Sequence, residues 1–168
     1  EPLVTTTVGQ APAAAPRAFS KVPGTRVALV TGASSGIGED TARKLQALGY
    51  IVYGAARRTD RLQALTTDGI RPLAMDVTDD ASMSSGVNRI LEETGRIDVL
   101  VNNAGITRDK LFVNTDADRW GSVIDVNLAS QLRINEVLLD PATKGGLKDG
   151  GRIVSVASTS GIGGNRGQ

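Results

Sequence analysis

Val27-Ala28-Leu29-Val30-Thr31-Gly32-Ala33-Ser34-Ser35-Gly36-Ile37-Gly38 decides the fold of this chain. The apolar run at its start reads as a buried strand. The glycines make a tight turn, and an amphipathic helix pattern carrying Ala42, Leu45 and Leu48 follows. A strand that enters a helix through such a turn points backbone N–H groups and the positive end of a helix dipole at one spot. That spot suits a pyrophosphate. The spacing, G-x-x-x-G-x-G, is one residue longer than the common dinucleotide fingerprint. The bland alternative is a strand-to-helix turn that holds no ligand.

Outward from this turn the pattern alternates. Strand-like runs fall at 27–31, 51–55, 71–76, 99–102 and 152–157, with helical patterns between them. Met83, Val87, Ile90 and Leu91 lie at i, i+4, i+7 and i+8, one face of a helix. A fourth helix is expected from about Asp116 to Asp140, where Pro141 helps to stop it. Strands separated by helices predict an α/β, doubly wound parallel sheet, which binds ligands at the carboxyl ends of its strands. Residues 1–24, rich in Ala, Pro and Thr, show neither period and read as a flexible tail or linker. Residues 25–168 read as one dinucleotide-binding domain.

Composition narrows the chemistry. The net charge of +1 gives no electrostatic footprint for nucleic acid, and aromatics at 3% offer few stacking platforms. There is no cysteine and no histidine, so disulfides, thiolate zinc sites and histidine-based triads are excluded within these residues, and no metal is expected. No apolar run approaches the ~20 residues that span a bilayer, so no membrane partner is expected. Glu1 stands where a start Met would, which suggests a processed or trimmed chain, and no signal-peptide layout precedes the domain. A cytoplasmic setting is the default expectation.

The second strand leads into Ala55-Ala56-Arg57-Arg58, with Arg57 nineteen residues beyond Gly38. Folds that bind NAD usually place an acid here for the ribose 2′-hydroxyl. An arginine would instead clamp a 2′-phosphate, which favours NADP(H). Solvated surface arginines are the alternative. Asp76 closes the third strand, where its carboxylate could accept from an adenine amine or cap the next helix. Asn102-Asn103-Ala104-Gly105 follows the fourth strand; its amides could tie strand ends together, or form a plain turn. Asn127 falls on the apolar stripe of Trp120, Val123, Ile124 and Leu128, as a satisfied core amide or as one placed near the crevice. Ser158, just past the fifth strand, could donate to a substrate carbonyl or merely serve the turn.

Together these segments resemble the short-chain dehydrogenase/reductase family over about residues 27–168. The stretch from Asn102 to Leu111 and the stretch Gly164-Asn165-Arg166-Gly167-Gln168 are especially like β-ketoacyl carrier-protein reductases. Residues 53–58 look more like other NADP-preferring members, a mixture compatible with an unusual homologue or an engineered chimera. The resemblance implies a Rossmann-type sheet of five strands in the order 3-2-1-4-5. Ile153, Val154 and Val156 would then lie on an exposed edge strand. It also implies that Asn127 and Ser158 are catalytic. The implied cofactor positions are Gly32, Ser34, Ser35, Gly36, Ile37, Gly38, Arg57, Arg58, Asp76, Val77, Asn103, Ala104 and Gly105.

The implied reaction is hydride transfer from NADPH to a ketone, with a small carbonyl compound or a 3-oxoacyl thioester of fatty-acid synthesis as substrate. The family is commonly homo-oligomeric. One departure is severe: the family's catalytic Tyr-x-x-x-Lys pair is missing. Tyr50 and Tyr53 are the only tyrosines, and Gly54 and Arg57 stand where the lysine would be. In related reductases the tyrosine falls three positions beyond Gln168 and the lysine seven. The domain is therefore expected to be C-terminally incomplete, and a catalytically inert dinucleotide-binding fragment remains the alternative to a reductase.

Overall fold

The computed structural model describes residues 24–108, 111–143 and 145–164. The expected tail, apart from Gly24, lies outside these residues. So do Asp109 and Lys110 and the stretch 165–168, two pieces of the reductase-like segments.

Five strands form one parallel sheet in the order β3-β2-β1-β4-β5. They are β1 (Val27–Thr31), β2 (Ile51–Ala56), β3 (Arg71–Ala74), β4 (Ile97–Asn102) and β5 (Leu147–Ser155). Helix α1 (Gly36–Ala47) links β1 to β2, and α2 (Thr59–Gln63) with a 3-10 turn links β2 to β3. Helix α3 (Asp80–Thr94) leads to β4. Between β4 and β5 run α4 (Ala117–Ile124), a π-turn (Asp125–Ala129) and α5 (Ser130–Leu139), and α6 (Thr159–Gly163) follows β5. The expected doubly wound sheet, with its strand order, is what the chain builds.

β1 sits at the centre and is buried along its whole length. Its side chains alternate between two cores. Val27 and Leu29 join Tyr53, Met83, Val87, Ile90, Ile134 and Leu138 on one face. Ala28 and Val30 join Ala42, Val52, Leu62 and Ile70 on the other. Period-2 alternation in a strand covered on both faces leaves no solvent-facing position, which is why Val27 to Val30 read as continuously apolar.

Several boundaries differ from the sequence expectation: β2 runs one residue longer, to Ala56, β4 begins two residues earlier, at Ile97, and β5 ends at Ser155 rather than 157. β3 ends at Ala74, before Asp76. The Asp76 amide donates to Ser82 Oγ, and its carboxylate takes the Thr78 amide, so the chain turns toward α3 there. β5 begins at Leu147, because Leu147 pairs with Ile97 ahead of a register shift, and Gly150 bends the strand at φ +76°. The fourth helix is interrupted by the π-turn. Asp116 caps its start by accepting from the Arg119 amide, and Asp140 ends it in extended conformation before Pro141.

The apolar stripe on that helix also needs correcting. Trp120, Ile124 and Leu128 are 55%, 36% and 54% exposed, so this stripe faces outward. The core-facing row is Val126, Ser130, Ile134 and Leu138, each four residues apart. The helix is apolar on two sides, and periodicity alone could not tell which one packs. The edge position of β5 is as expected, with Ile153, Val154 and Val156 all partly open to solvent.

Candidate functional site

The carboxyl ends of β1 and β4 are stitched together by Thr31 and Asn103. Thr31 Oγ1 accepts from the amides of Asn103 at 3.0 Å and Ala104 at 3.1 Å, and donates to the Val101 carbonyl. Asn103 Nδ2 donates back to the Thr31 carbonyl at 3.1 Å and the Gly32 carbonyl at 3.3 Å. Ala33, fully buried, donates its amide to Ala55 on β2. The glycine turn is therefore anchored on both sides before any ligand is considered.

Gly32 and Gly38 are required by this crowding. A Cβ on Gly38 would lie 2.4 Å from Asn103 Nδ2 and 2.4 Å from the Gly32 carbonyl oxygen. A Cβ on Gly32 would lie 2.8 Å from Ala104 Cα, and Gly32 also has φ +66°. Helix α1 starts at Gly36 with Ser35 in extended conformation, and no side chain caps its first amides. Those orphan N–H groups need an acceptor from water or a ligand. Ser34 is half-buried, while Ser35, Gly36 and Ile37 are exposed around the helix start. A close-approach cradle with uncapped amides and the positive dipole end fits a dinucleotide pyrophosphate.

Arg57 and Arg58 are exposed just beyond β2. Arg57 is near enough to act on Asp76. Partial burial would raise the Asp76 carboxyl, but the Thr78 amide and hydroxyl bonds and the Arg57 charge outweigh it and hold it below the usual range. Both Thr78 bonds fall on Asp76 Oδ1. The cap of α3 is Asp79, whose carboxylate accepts from the Ala81 amide, so that alternative for Asp76 is set aside. Val77 packs against the core.

Asn127 lies in the π-turn, half-buried. Its Oδ1 accepts from the Ile106 amide at 2.8 Å and its Nδ2 donates to the Ile106 carbonyl at 2.9 Å. Gly105, exposed, has room for a Cβ only at contact distance, 3.5 Å from Asn127 Oδ1. Asn127 is thus brought to the segment that continues from Asn103, Ala104 and Gly105. Ser158 sits at the carboxyl end of β5, two residues beyond Val156, whose amide donates to the Asn102 carbonyl. It is exposed, and its Oγ accepts from the Ser160 amide at 3.2 Å as the cap of α6. A hydroxyl that accepts there keeps its own proton to donate.

Neither tyrosine is at this edge of the sheet. Tyr50, in the turn before β2, lies beneath Arg26, with 4.5 Å from the guanidinium to the ring centre. Tyr53 is fully buried and donates to Glu93 at 2.6 Å while accepting from Arg71 at 2.6 Å. Burial and the Glu93 bond push its phenol well up, outweighing the Arg71 charge, so it is held protonated. Among the described residues no group of three or more His, Cys, Asp or Glu could hold a metal. No described helix is long and apolar enough to cross a membrane.

Several contributors were not singled out from sequence: Thr31 as the clasp, Ile106 as the partner of Asn127, and Ser130 and Gln131 behind it. Thr31 sits inside the quoted motif, but its partners lie some seventy residues away. The π-turn leaves no pattern in hydrophobicity.

Comparison with known proteins agrees with this geometry. A family model described as short chain dehydrogenase matches residues 26–168. The 3-oxoacyl-[acyl-carrier-protein] reductase FabG of Escherichia coli (strain K12) is 40% identical over 147 residues, covering 85% of this chain and 59% of that protein. A protein of Streptomyces virginiae named monensin polyketide synthase putative ketoacyl reductase is 44% identical over 144 residues, covering 81% of this chain and 54% of its own. The crystal structure of a short-chain dehydrogenase from Streptomyces avermitilis superposes with a TM-score of 0.67 at 35% identity, over 71% of this chain and 44% of that one. The chain thus spans little more than half the length of these curated relatives. With the fold, the glycine cradle and these matches in agreement, the chain belongs to the short-chain dehydrogenase family.

Proposed function

We propose that this chain forms the NADP(H)-binding part of a carbonyl reductase that acts on a ketone, with 3-oxoacyl thioesters of fatty-acid synthesis as the substrate class. The observation that carries the reading is the Gly38–Asn103 approach beside the uncapped start of α1. Gly32, Ser34, Ser35, Gly36, Ile37 and Gly38 would cradle the pyrophosphate. Asn103, Ala104 and Gly105 would border the cofactor from β4. Asp76 and Val77 would face the adenine, with Asp76 Oδ2 as the acceptor. Arg57, assisted by Arg58, would hold a 2′-phosphate, which an acid in that place would repel.

When bound, NADPH supplies the hydride. The chain's own part is to bind, orient and polarise. Ser158 would donate its hydroxyl proton toward the substrate carbonyl oxygen, where negative charge develops. Asn127 would hold the segment after Gly105 in place beside it. The similarity to proteins named 3-oxoacyl-[acyl-carrier-protein] reductase supports the thioester class. We place the protein in the cytoplasm on the same grounds. A homo-oligomer built on the outward row of Trp120, Ile124, Leu128 and Leu132 fits the family, and sedimentation of a Leu128→Lys variant checks it.

A specific observation favours a second reading, a dinucleotide-binding module without turnover: Tyr50 lies at the amino end of β2, opposite the glycine turn, and Tyr53 is buried against Glu93 and Arg71, so neither phenol is placed as a general acid. Losing a general acid costs about 10²–10⁴ in rate. Two measurements separate the cases. Fluorescence titration should give tighter binding of NADPH than of NADH; equal affinities refute the NADP assignment. Oxidation of NADPH with an acetoacetyl thioester then decides between reductase and inert module, since turnover by the mass-verified chain sinks the second.

A further inference from the structure

The π-turn bypasses one backbone acceptor, and side chains bind that carbonyl and the next one. The Ser130 amide, which in a regular α-helix would bond the Val126 carbonyl, instead reaches back to Asp125. Val126 is buried, so its bypassed carbonyl needs another donor. Ser130 Oγ supplies it at 2.6 Å, and Ser130 itself is only 4% exposed. One residue on, Gln131 Nε2 donates to the Asn127 carbonyl at 2.8 Å. The residue whose backbone is held in this way is the one whose amide side chain grips both polar groups of Ile106.

We propose that Ser130 and Gln131 are positioning residues that stabilise the π-turn and thereby aim Asn127 at Ile106. The local assignment stands on these hydrogen bonds; its meaning for catalysis rests on the proposed role of Asn127. Ser130 faces the core, where an apolar residue would extend the row of Val126, Ile134 and Leu138. A hydroxyl there is explained by the acceptor that it caps. Gln131 lies beside it, half-buried, and reaches the neighbouring carbonyl without entering the core.

Amide hydrogen exchange followed by NMR on the 168-residue chain tests this, with the Ile106 N–H as reporter and the β1 amides as the control for global stability. Ser130→Ala should raise Ile106 exchange by about tenfold or more relative to β1. Ser130→Thr, whose hydroxyl can make the same bond four residues back, should restore protection. Gln131→Met, of similar length and outside the core, should raise Ile106 exchange alone. Unchanged Ile106 exchange in Ser130→Ala and Gln131→Met, or equal loss in Ser130→Ala and Ser130→Thr, overturns the proposal. If Ser130→Ala does not fold, Gln131→Met decides by itself. NADPH titration of the same variants reports separately on the cofactor reading, because the Thr31–Asn103 clasp does not involve either residue.

Discussion

Asn127 and Ile106 exchange two hydrogen bonds, amide side chain to backbone, as paired residues of an antiparallel ladder would. They lie 21 residues apart and join the long helix to the segment leaving β4. Substituting Asn127→Ala leaves a half-buried N–H and C=O of Ile106 without partners. The expected loss is about 1–3 kcal/mol of stability. Urea unfolding with tryptophan fluorescence measures it. A change within error would show that water replaces the side chain without penalty.

The sheet was legible because its signals are local. β1 and β2 are apolar runs with turns at their ends, and the α3 face of Met83, Val87 and Ile90 packs as its spacing says. What escaped was non-local. The tie from the Asn103 amide to the end of β1 was open to reading from residue type and place, but its partner Thr31 was not, and the outward stripe of Trp120, Ile124 and Leu128 has the same period as the inward one. The π-turn arises from one shifted hydrogen bond, which no composition or spacing records. The exposed apolar residues of β5 were legible only because an edge position followed from the strand order.

Gly38 should tolerate no side chain. Alanine there would set its Cβ 2.4 Å from two polar atoms that are themselves bonded, one on the opposing loop and one on the turn. Relief requires the loop to move away from the helix start. Overpacking of this kind costs about 1–3 kcal/mol. In addition, NADPH affinity should fall by more than about tenfold, equivalent to about 1.4 kcal/mol. Thermal melts with and without NADPH separate the two effects: the ligand-dependent rise in Tm expected of the parent should shrink by the equivalent of that loss in affinity. A Gly38→Ala variant that keeps that rise in full would mean the cradle is not the ligand site.

Arg57→Ala should act on one cofactor only. A charge-assisted bond to a phosphate is worth about 1.5–3 kcal/mol, so NADPH should weaken roughly ten- to a hundredfold. NADH, which lacks the 2′-phosphate, should bind as before. Removing Arg57 also removes a charge that helps keep Asp76 ionised. If NADPH and NADH both weaken equally, the arginine is supporting Asp76 or the strand end rather than reading the phosphate.

Stability should fall in acid through Asp98. This residue is 8% exposed, and its carboxylate accepts from the Val27 amide at 2.8 Å and pairs with Arg96. Burial alone would raise its carboxyl, but the Arg96 and Val27 bonds and the arginine charges prevail and hold it below the usual carboxylate range. The unfolded carboxyl titrates at about 3.9. A group depressed on folding contributes its full stability above that unfolded value and loses it as pH falls through the folded one. Asp98→Asn keeps the shape but cannot titrate. Urea midpoints taken between pH 6 and pH 3 should therefore converge for parent and variant as the pH drops. A gap that stays constant over that range would assign the acid sensitivity to other carboxylates, with Glu93 beside Tyr53 and Arg89 the first to examine.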